Sequence, residues 1–304
     1  MTASRNGCDR SNRAYSQILK FAGIPQPVKS FAACSGAVSS EIYSSFSRST
    51  GAQADGGVHP DVGLVTLTIG GNDVLFSDVV RVCFQYTDCT KTPFPSPSPT
   101  RGLTFPISQP LATWGVAATE MVSQRLATLY GHLRATYPKA RIVAIGYPYL
   151  FPSGKAGWWP DDCASILRRY SVSERAHIRE FIDQFNDAAY ERAVQAGIEF
   201  VSATAAWDGH EPCGAKGQWT NSIKPILSFH DPVDGGSFHP NQTGQQQLAA
   251  LVACYLDTNS QAPNAFQGGA SHPFTISGLE KPSQLGLVPA PGSAQAPLHC
   301  AGGK

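Results

Sequence analysis

Residues 62–69, Val-Gly-Leu-Val-Thr-Leu-Thr-Ile, form a nearly continuous apolar, β-branched run that stops at Gly70-Gly71-Asn72-Asp73. A strand that alternates apolar and polar residues covers one face of a sheet. A continuous run needs cover on both faces, which in a single chain comes from helices on either side of a parallel sheet. The segment therefore predicts a strand buried on both faces. A second run, residues 141–145, ends at Gly146-Tyr147-Pro148, and a third, short one spans 198–201. Between them the pattern predicts long helices over about 116–135 and 173–196, and a last one over about 243–256 opened by Thr243-Gly-Gln-Gln246, which matches a capping box. Near the amino end, Ser11 caps a predicted helix through Tyr15, Ile18, Leu19 and Phe21, with Gly23 as its left-handed stop. A short strand at 30–34 and a helix over 39–46 follow. Strands alternating with helices predict an α/β fold, a three-layer, doubly wound parallel sheet with ligands at the carboxyl ends of the strands.

Charge excludes one class of function. Lys and Arg number 23 against 22 Asp and Glu, a net charge of +1, and they are scattered, so the clustered basic surplus of a nucleic-acid binder is missing. The longest apolar run, 248–256, falls short of the roughly 18 residues that span a bilayer. Length and apolar content fit one domain over residues 1–257. Residues 258–304 are Gly/Pro-rich, lack periodicity and read as a tail or linker. A Pro- and Ser-rich stretch at 92–101 has the length of a lid or binding loop.

Eight cysteines stand singly, at 8, 34, 83, 89, 163, 213, 254 and 300, and none forms the C-x-x-C spacing of a zinc or redox motif. With only 2 Met, this pattern predicts disulfides and an oxidising compartment, and hence a secretory signal. Residues 1–8 hold no apolar core of such a signal. Either the signal is lost from the chain or the disulfide reading fails.

Three glycine-bearing polar segments fall at strand ends or in late loops. Asn72 follows a buried strand, and its amide can donate to an oxyanion; Gly36 can offer its backbone N–H to the same oxygen. Their plain alternatives are an Asx turn and a turn glycine. His239, between Phe238 and Pro240, suits a general base, with a surface-loop histidine as the alternative. His230, in a repeated Ser-Phe-His string beside Asp231, is its rival. His210, beside Glu211, reads either as a site wall or as a structural histidine near Cys213.

In order and spacing, Ala33-Cys34-Ser35-Gly36-Ala37, Thr68-Ile-Gly-Gly-Asn72-Asp73 and Ser237-Phe-His239-Pro-Asn241 resemble the SGNH (GDSL-type) hydrolases, above all the secreted actinobacterial esterases and lipases, over roughly residues 8–257. The resemblance implies a flavodoxin-like sheet, ester hydrolysis, no metal or organic cofactor, and a small-molecule or lipid ester as substrate. It places Gly36 and Asn72 in the oxyanion hole and His239 as base. It also implies disulfides Cys8 with Cys34, Cys83 with Cys89, and Cys163 with Cys213, leaving Cys254 and Cys300 as a fourth pair. Trp158, Trp159 and Phe151 would then line an acyl site, or else pack.

Two departures stand out. The family's first block, Gly-Asp-Ser on the first, central strand, is not found before Cys8, so the expectation is an amino-terminally truncated form started at an internal Met, with the nucleophilic serine upstream and a sheet short of that strand. The acid that relatives carry three residues before the histidine is Gly236 here. A backbone carbonyl of Gly236 or Ser237 would then hold the ring, giving a Ser–His dyad, with Asp234 the weaker alternative. A noncatalytic binding module and a relocated nucleophile at Ser35 are the competing readings.

Overall fold

The structure, a computed structural model, describes residues 8–20, 29–44, 52–54, 57–86, 88–92, 110–152, 170–222 and 236–258. In chain order these form helix α1 (Tyr15–Ile18), a 3₁₀ turn (Ser39–Ile42), strand β1 (Leu64–Leu67), α2 (Phe76–Gln85), α3 (Leu111–Thr136), β2 (Arg141–Ile145), α4 (Val172–Gln195), β3 (Glu199–Val201), α5 (Thr204–Trp207) and α6 (Gln242–Thr258). The strands are parallel and ordered β1-β2-β3, with Leu64 opposite Arg141 and Val143 opposite Glu199.

Alternation along β2 sorts the core into two halves. Ile142 and Ala144 point into one apolar cluster with Val122, Leu126 and Leu129 of α3 and Ile178, Ile182 and Phe185 of α4. Val143 and Ile145 point into the other, with Trp207 of α5 and Leu248, Leu251 and Val252 of α6. Helices thus cover both faces of the sheet, the three-layer α/β/α arrangement that the continuous apolar strands demand. None of the described helices is long and apolar enough to cross a membrane.

Several expectations need correction. All four residues of β1 are half-buried rather than buried. The reason is position: β2 lies between two strands, whereas β1 has a partner on one side only among the described residues. No strand forms at 30–34, where the carbonyls of Ala32 and Ala33 accept from the Arg10 guanidinium instead of a ladder. The helix placed at 39–46 is a single 3₁₀ turn over Ser39–Ile42. Ser11 does not cap α1; its hydroxyl accepts from Arg13 N–H, and α1 starts after Ala14. Nor does Thr243 cap α6. Asn241 does, its Oδ1 accepting from Gly244 N–H at 2.9 Å. Helix α3 begins at Leu111, five residues before the expected start, and α2 was not expected. Phe21, Gly23 and residues 93–100 and 259–304 lie outside the described residues, so the lid and tail expectations do too.

Disulfides Cys8–Cys34 and Cys83–Cys89 are present as expected. Cys213 and Cys254 are also disulfide-bonded, while their expected partners, Cys163 and Cys300, lie outside the described residues.

Candidate active site

The turn after β1 is built by close approach. Gly70 has φ +103°, and a Cβ there would meet the Phe185 ring at 2.7 Å; on Gly71 it would meet the Tyr147 hydroxyl at 2.7 Å. Only glycine tolerates both the left-handed backbone and the contact. The turn then presents two polar side chains to the segment around Gly36. Asn72 Nδ2 donates to Ala37 O at 3.0 Å, which uses one of its two N–H bonds and leaves the other. Asp73, fully buried, accepts from Ser39 N–H at 2.8 Å and Ser39 Oγ–H at 2.7 Å, with Arg125 3.4 Å away. Burial pushes the Asp73 carboxyl above its ordinary range, against the Ser39 bonds and the Arg125 charge, which pull it down. Gly36 itself sits at φ +76° in a turn closed by Ala37 N–H donating to Cys34 O. The Cys8–Cys34 disulfide and the bond from Ser35 N–H to Cys8 O tie that turn down from behind.

His239 stands on a different support. Its Nδ1 lies 3.0 Å from Ser237 O, and because a carbonyl only accepts, Nδ1 carries the proton and the neutral ring keeps its lone pair on Nε2. Gly236 O does not hold the ring; it accepts from Asn221 Nδ2 at 3.1 Å and from the His239 backbone N–H at 3.4 Å. Asn221 also donates its N–H to His239 O and accepts from Phe238 N–H, so one residue grips the segment at three points. Phe238 pays for its left-handed φ of +61° with a buried ring that meets Phe151 edge-on at 5.3 Å. The imidazole itself is exposed.

Behind Phe151 lies a charged cluster. Arg179 donates to Phe151 O, pairs with buried Glu211 at 3.2 Å and lies 3.5 Å above the Tyr149 ring. Tyr149 donates to Asp183 Oδ1 at 2.7 Å, and burial raises the Asp183 carboxyl to about 6. The Glu211 carboxyl is likewise raised by burial.

The structure thus joins Gly36's segment to Asn72 directly. No hydrogen bond among the described residues links His239 to Asn72; Asn72 follows the carboxyl end of β1, and His239 precedes α6, whose far end accepts through Leu256 O from Arg141 at the amino end of β2. Ser35 is exposed in the Gly36 turn. His210 stacks on Trp219 at 3.6 Å with Nδ1 against Gly217 O, an arrangement of packing and backbone support. Phe151 is fully buried among Tyr170 and Phe238. Trp158, Trp159, His230, Asp231 and Asp234 lie outside the described residues. One grouping with metal-ligand proximity occurs among those described, Cys83, Cys89 and Glu174, but its two sulfurs are bonded to each other and Glu174 accepts from Cys89 N–H. Sequence reasoning missed Asp73, Tyr147 and Asn221. Asp73 was adjacent to a motif already in view; the other two act through contacts across 76 and 15 residues of chain that no local pattern records.

A family model for the GDSL-like Lipase/Acylhydrolase family matches residues 1–247. Lipase 1 of Streptomyces coelicolor is 25% identical over 243 residues, covering 80% of this chain and 75% of that protein. A lipase of Streptomyces rimosus is 26% identical over 245 residues, covering 81% and 76%. Among solved structures, the extracellular lipase from Streptomyces rimosus superposes with a TM-score of 0.57 at 21% identity, covering 84% of this chain and 89% of that one. Phospholipase A1 from Streptomyces albidoflavus NA297 gives a TM-score of 0.53 at 24% identity, covering 84% and 88%. At those identities the two structures speak for the fold alone.

Proposed function

Because the chain belongs to the GDSL-like lipase/acylhydrolase family, we propose that it acts in carboxylic ester hydrolysis through a Ser–His dyad in which His239 is the base and the serine belongs to a Gly-Asp-Ser block not found in these 304 residues. The observation that carries this reading is the bond between His239 Nδ1 and Ser237 O on an exposed residue, which in the neutral ring assigns the lone pair to Nε2. In the reaction, the serine oxygen attacks the ester carbonyl and its proton passes to Nε2. The carbonyl becomes an oxyanion, which the second N–H of Asn72 and the N–H of Gly36 stabilise. The C–O bond to the alcohol then breaks, and the alcohol leaves with the proton from Nε2. Water repeats the sequence on the acyl-serine and releases the acid. Ser237 supplies the orienting carbonyl that an acid supplies in a triad.

Among the described residues β1 has a strand neighbour on one side only, and its half-burial supports a further parallel strand on the other. The disulfide-bonded state of all six cysteines among the described residues supports an extracellular location. The absence of a Gly-Asp-Ser block from the chain favours one second reading, a noncatalytic module that keeps the crevice for binding.

The test is a fluorophosphonate probe on the folded 304-residue chain, read by intact mass, together with the upstream reading frame. No adduct, with an in-frame Gly-Asp-Ser upstream, is the expected result. A stoichiometric adduct that depends on His239 overturns it and directs mapping to Ser35. No adduct and no upstream Gly-Asp-Ser leaves the binding module.

A further inference from the structure

Tyr147 enters no family block quoted above, yet it touches the turn that carries Asn72. It follows β2 by two residues, and its hydroxyl oxygen accepts from Gly71 N–H at 3.0 Å. The contact is intimate, because the phenol fills the place a Gly71 Cβ would take. Tyr147 is in turn clamped from α4. Asn186, fully buried, accepts from Tyr147 N–H through Oδ1 and donates to Tyr147 O through Nδ2, both at 2.9 Å. The neighbouring Phe185 meets the Tyr147 ring edge-on at 5.4 Å and fills the Cβ position of Gly70. Gly146 completes the arrangement, since a Cβ there would lie 2.9 Å from Asn186 Oδ1. Three glycines at two strand ends thus let two adjacent residues of α4, with one tyrosine between, brace a single turn. A buried asparagine with both amide functions on one residue's backbone is a costly arrangement to keep for packing alone, because each bond lost would leave a buried polar group unsatisfied.

We infer that Tyr147, held by Asn186, is a positioning residue for Asn72: by accepting the Gly71 N–H it fixes the turn whose next side chain donates to the oxyanion. Burial raises the phenol to about 12, so its oxygen is a neutral acceptor throughout the working range of a hydrolase. The role in catalysis rests on the reading of Asn72 as an oxyanion donor; the bracing of the turn does not.

The test uses the full ¹⁵N-labelled chain and Tyr147→Phe, which removes one oxygen and keeps the ring against Gly71 and Phe185. Tyr149→Phe is the control, losing a phenol bond to Asp183 two residues along the same segment. Two signals are read: hydrogen exchange at the Gly71 amide, and the Asn72 side-chain amide resonances during titration with hexanoate, a carboxylate probe for oxyanion donors. In Tyr147→Phe, Gly71 exchange rises about tenfold while Val143 and Ala144 of β2 stay protected, and the hexanoate response of Asn72 weakens by a similar factor. Tyr149→Phe leaves both signals unchanged. A general loss of packing would instead raise exchange at Val143 and Ala144 alongside Gly71, and that result overturns the inference. So does unchanged Gly71 exchange in folded Tyr147→Phe. If wild-type Asn72 ignores hexanoate while Gly71 responds to Tyr147→Phe, the bracing stands and the oxyanion reading of Asn72 fails.

Discussion

The two halves of the candidate site are held by different forces. The Gly36–Asn72 half is tied by hydrogen bonds, buried from the backbone and hydroxyl of Ser39 to Asp73 and half-buried from Asn72 to Ala37 O and from Gly71 to Tyr147. The His239 half leans on aromatic packing, Phe238 against Phe151 against Tyr170, with the Arg179 cluster behind. The difference fits the task proposed for each. An oxyanion donor must not move when charge develops, and polar bonds that hold its turn give that rigidity. A base that takes and returns a proton needs one lone pair aimed outward, and a single carbonyl on Nδ1 with an apolar floor beneath it is enough.

The comparison breaks first at Phe151. Phe151→Ala removes a fully buried ring and is expected to cost about 3–5 kcal/mol in urea unfolding, by lost transfer energy and a residual cavity. A cost under 1 kcal/mol would mean that the His239 half does not rest on aromatic packing. Asp73→Ala comes next, at about 2–4 kcal/mol, because Ser39 N–H and Arg125 lose their acceptor inside the protein. It should also release the Ser39 turn, seen as faster exchange at the Ser39 amide. Equal protection of Ser39 in the variant would remove the polar half of the contrast.

Acidity sharpens it further. Burial raises Asp183 from an ordinary 3.8 to about 6, so the native state holds its proton more tightly than the unfolded chain. The contribution of Asp183 to stability is then greatest below pH 4, falls as pH climbs from about 4 to 6, and is flat above. Partial exposure damps the slope. Asp183→Asn should flatten the stability profile across that window relative to wild type. A slope that survives the substitution assigns it to other carboxyls, of which Glu211 and Asp73, both raised, are the first to try.

How much of this was legible depended on whether the cause was local. Strand β2 lies on the residues its apolar run marks, and the His239 and Asn72 segments fall where glycine, a strand end and a following helix put them. Helix α2 was hidden because it has no polar cap: it starts after Leu75, at φ +48°, directly out of the Asn72 turn. The burial of β1 was overstated because apolar content reports what a strand can bury, while its neighbours decide what it does bury. The missing strand at 30–34 has the same origin, its carbonyls taken by Arg10 across more than 20 residues. Tyr147, Asn186 and Asn221 carry no motif at all. A polar residue whose partners lie on another element looks in sequence like any surface residue.

Asn221 gives the smallest and most selective effect. Two of its three bonds to the His239 segment are made by its backbone and survive any side-chain change; only Nδ2 to Gly236 O depends on the amide. Asn221→Ala should therefore cost about 1 kcal/mol, the usual net worth of one hydrogen bond. Gly236 O would lose that one donor and keep the His239 N–H that donates to it at 3.4 Å. The imidazole bond to Ser237 O should persist, read as an unchanged Nδ1–H tautomer in ¹⁵N spectra of His239. If the tautomer shifts to Nε2–H instead, the side chain of Asn221, and not the aromatic floor, is what orients the base, and the contrast between the two halves of the site disappears.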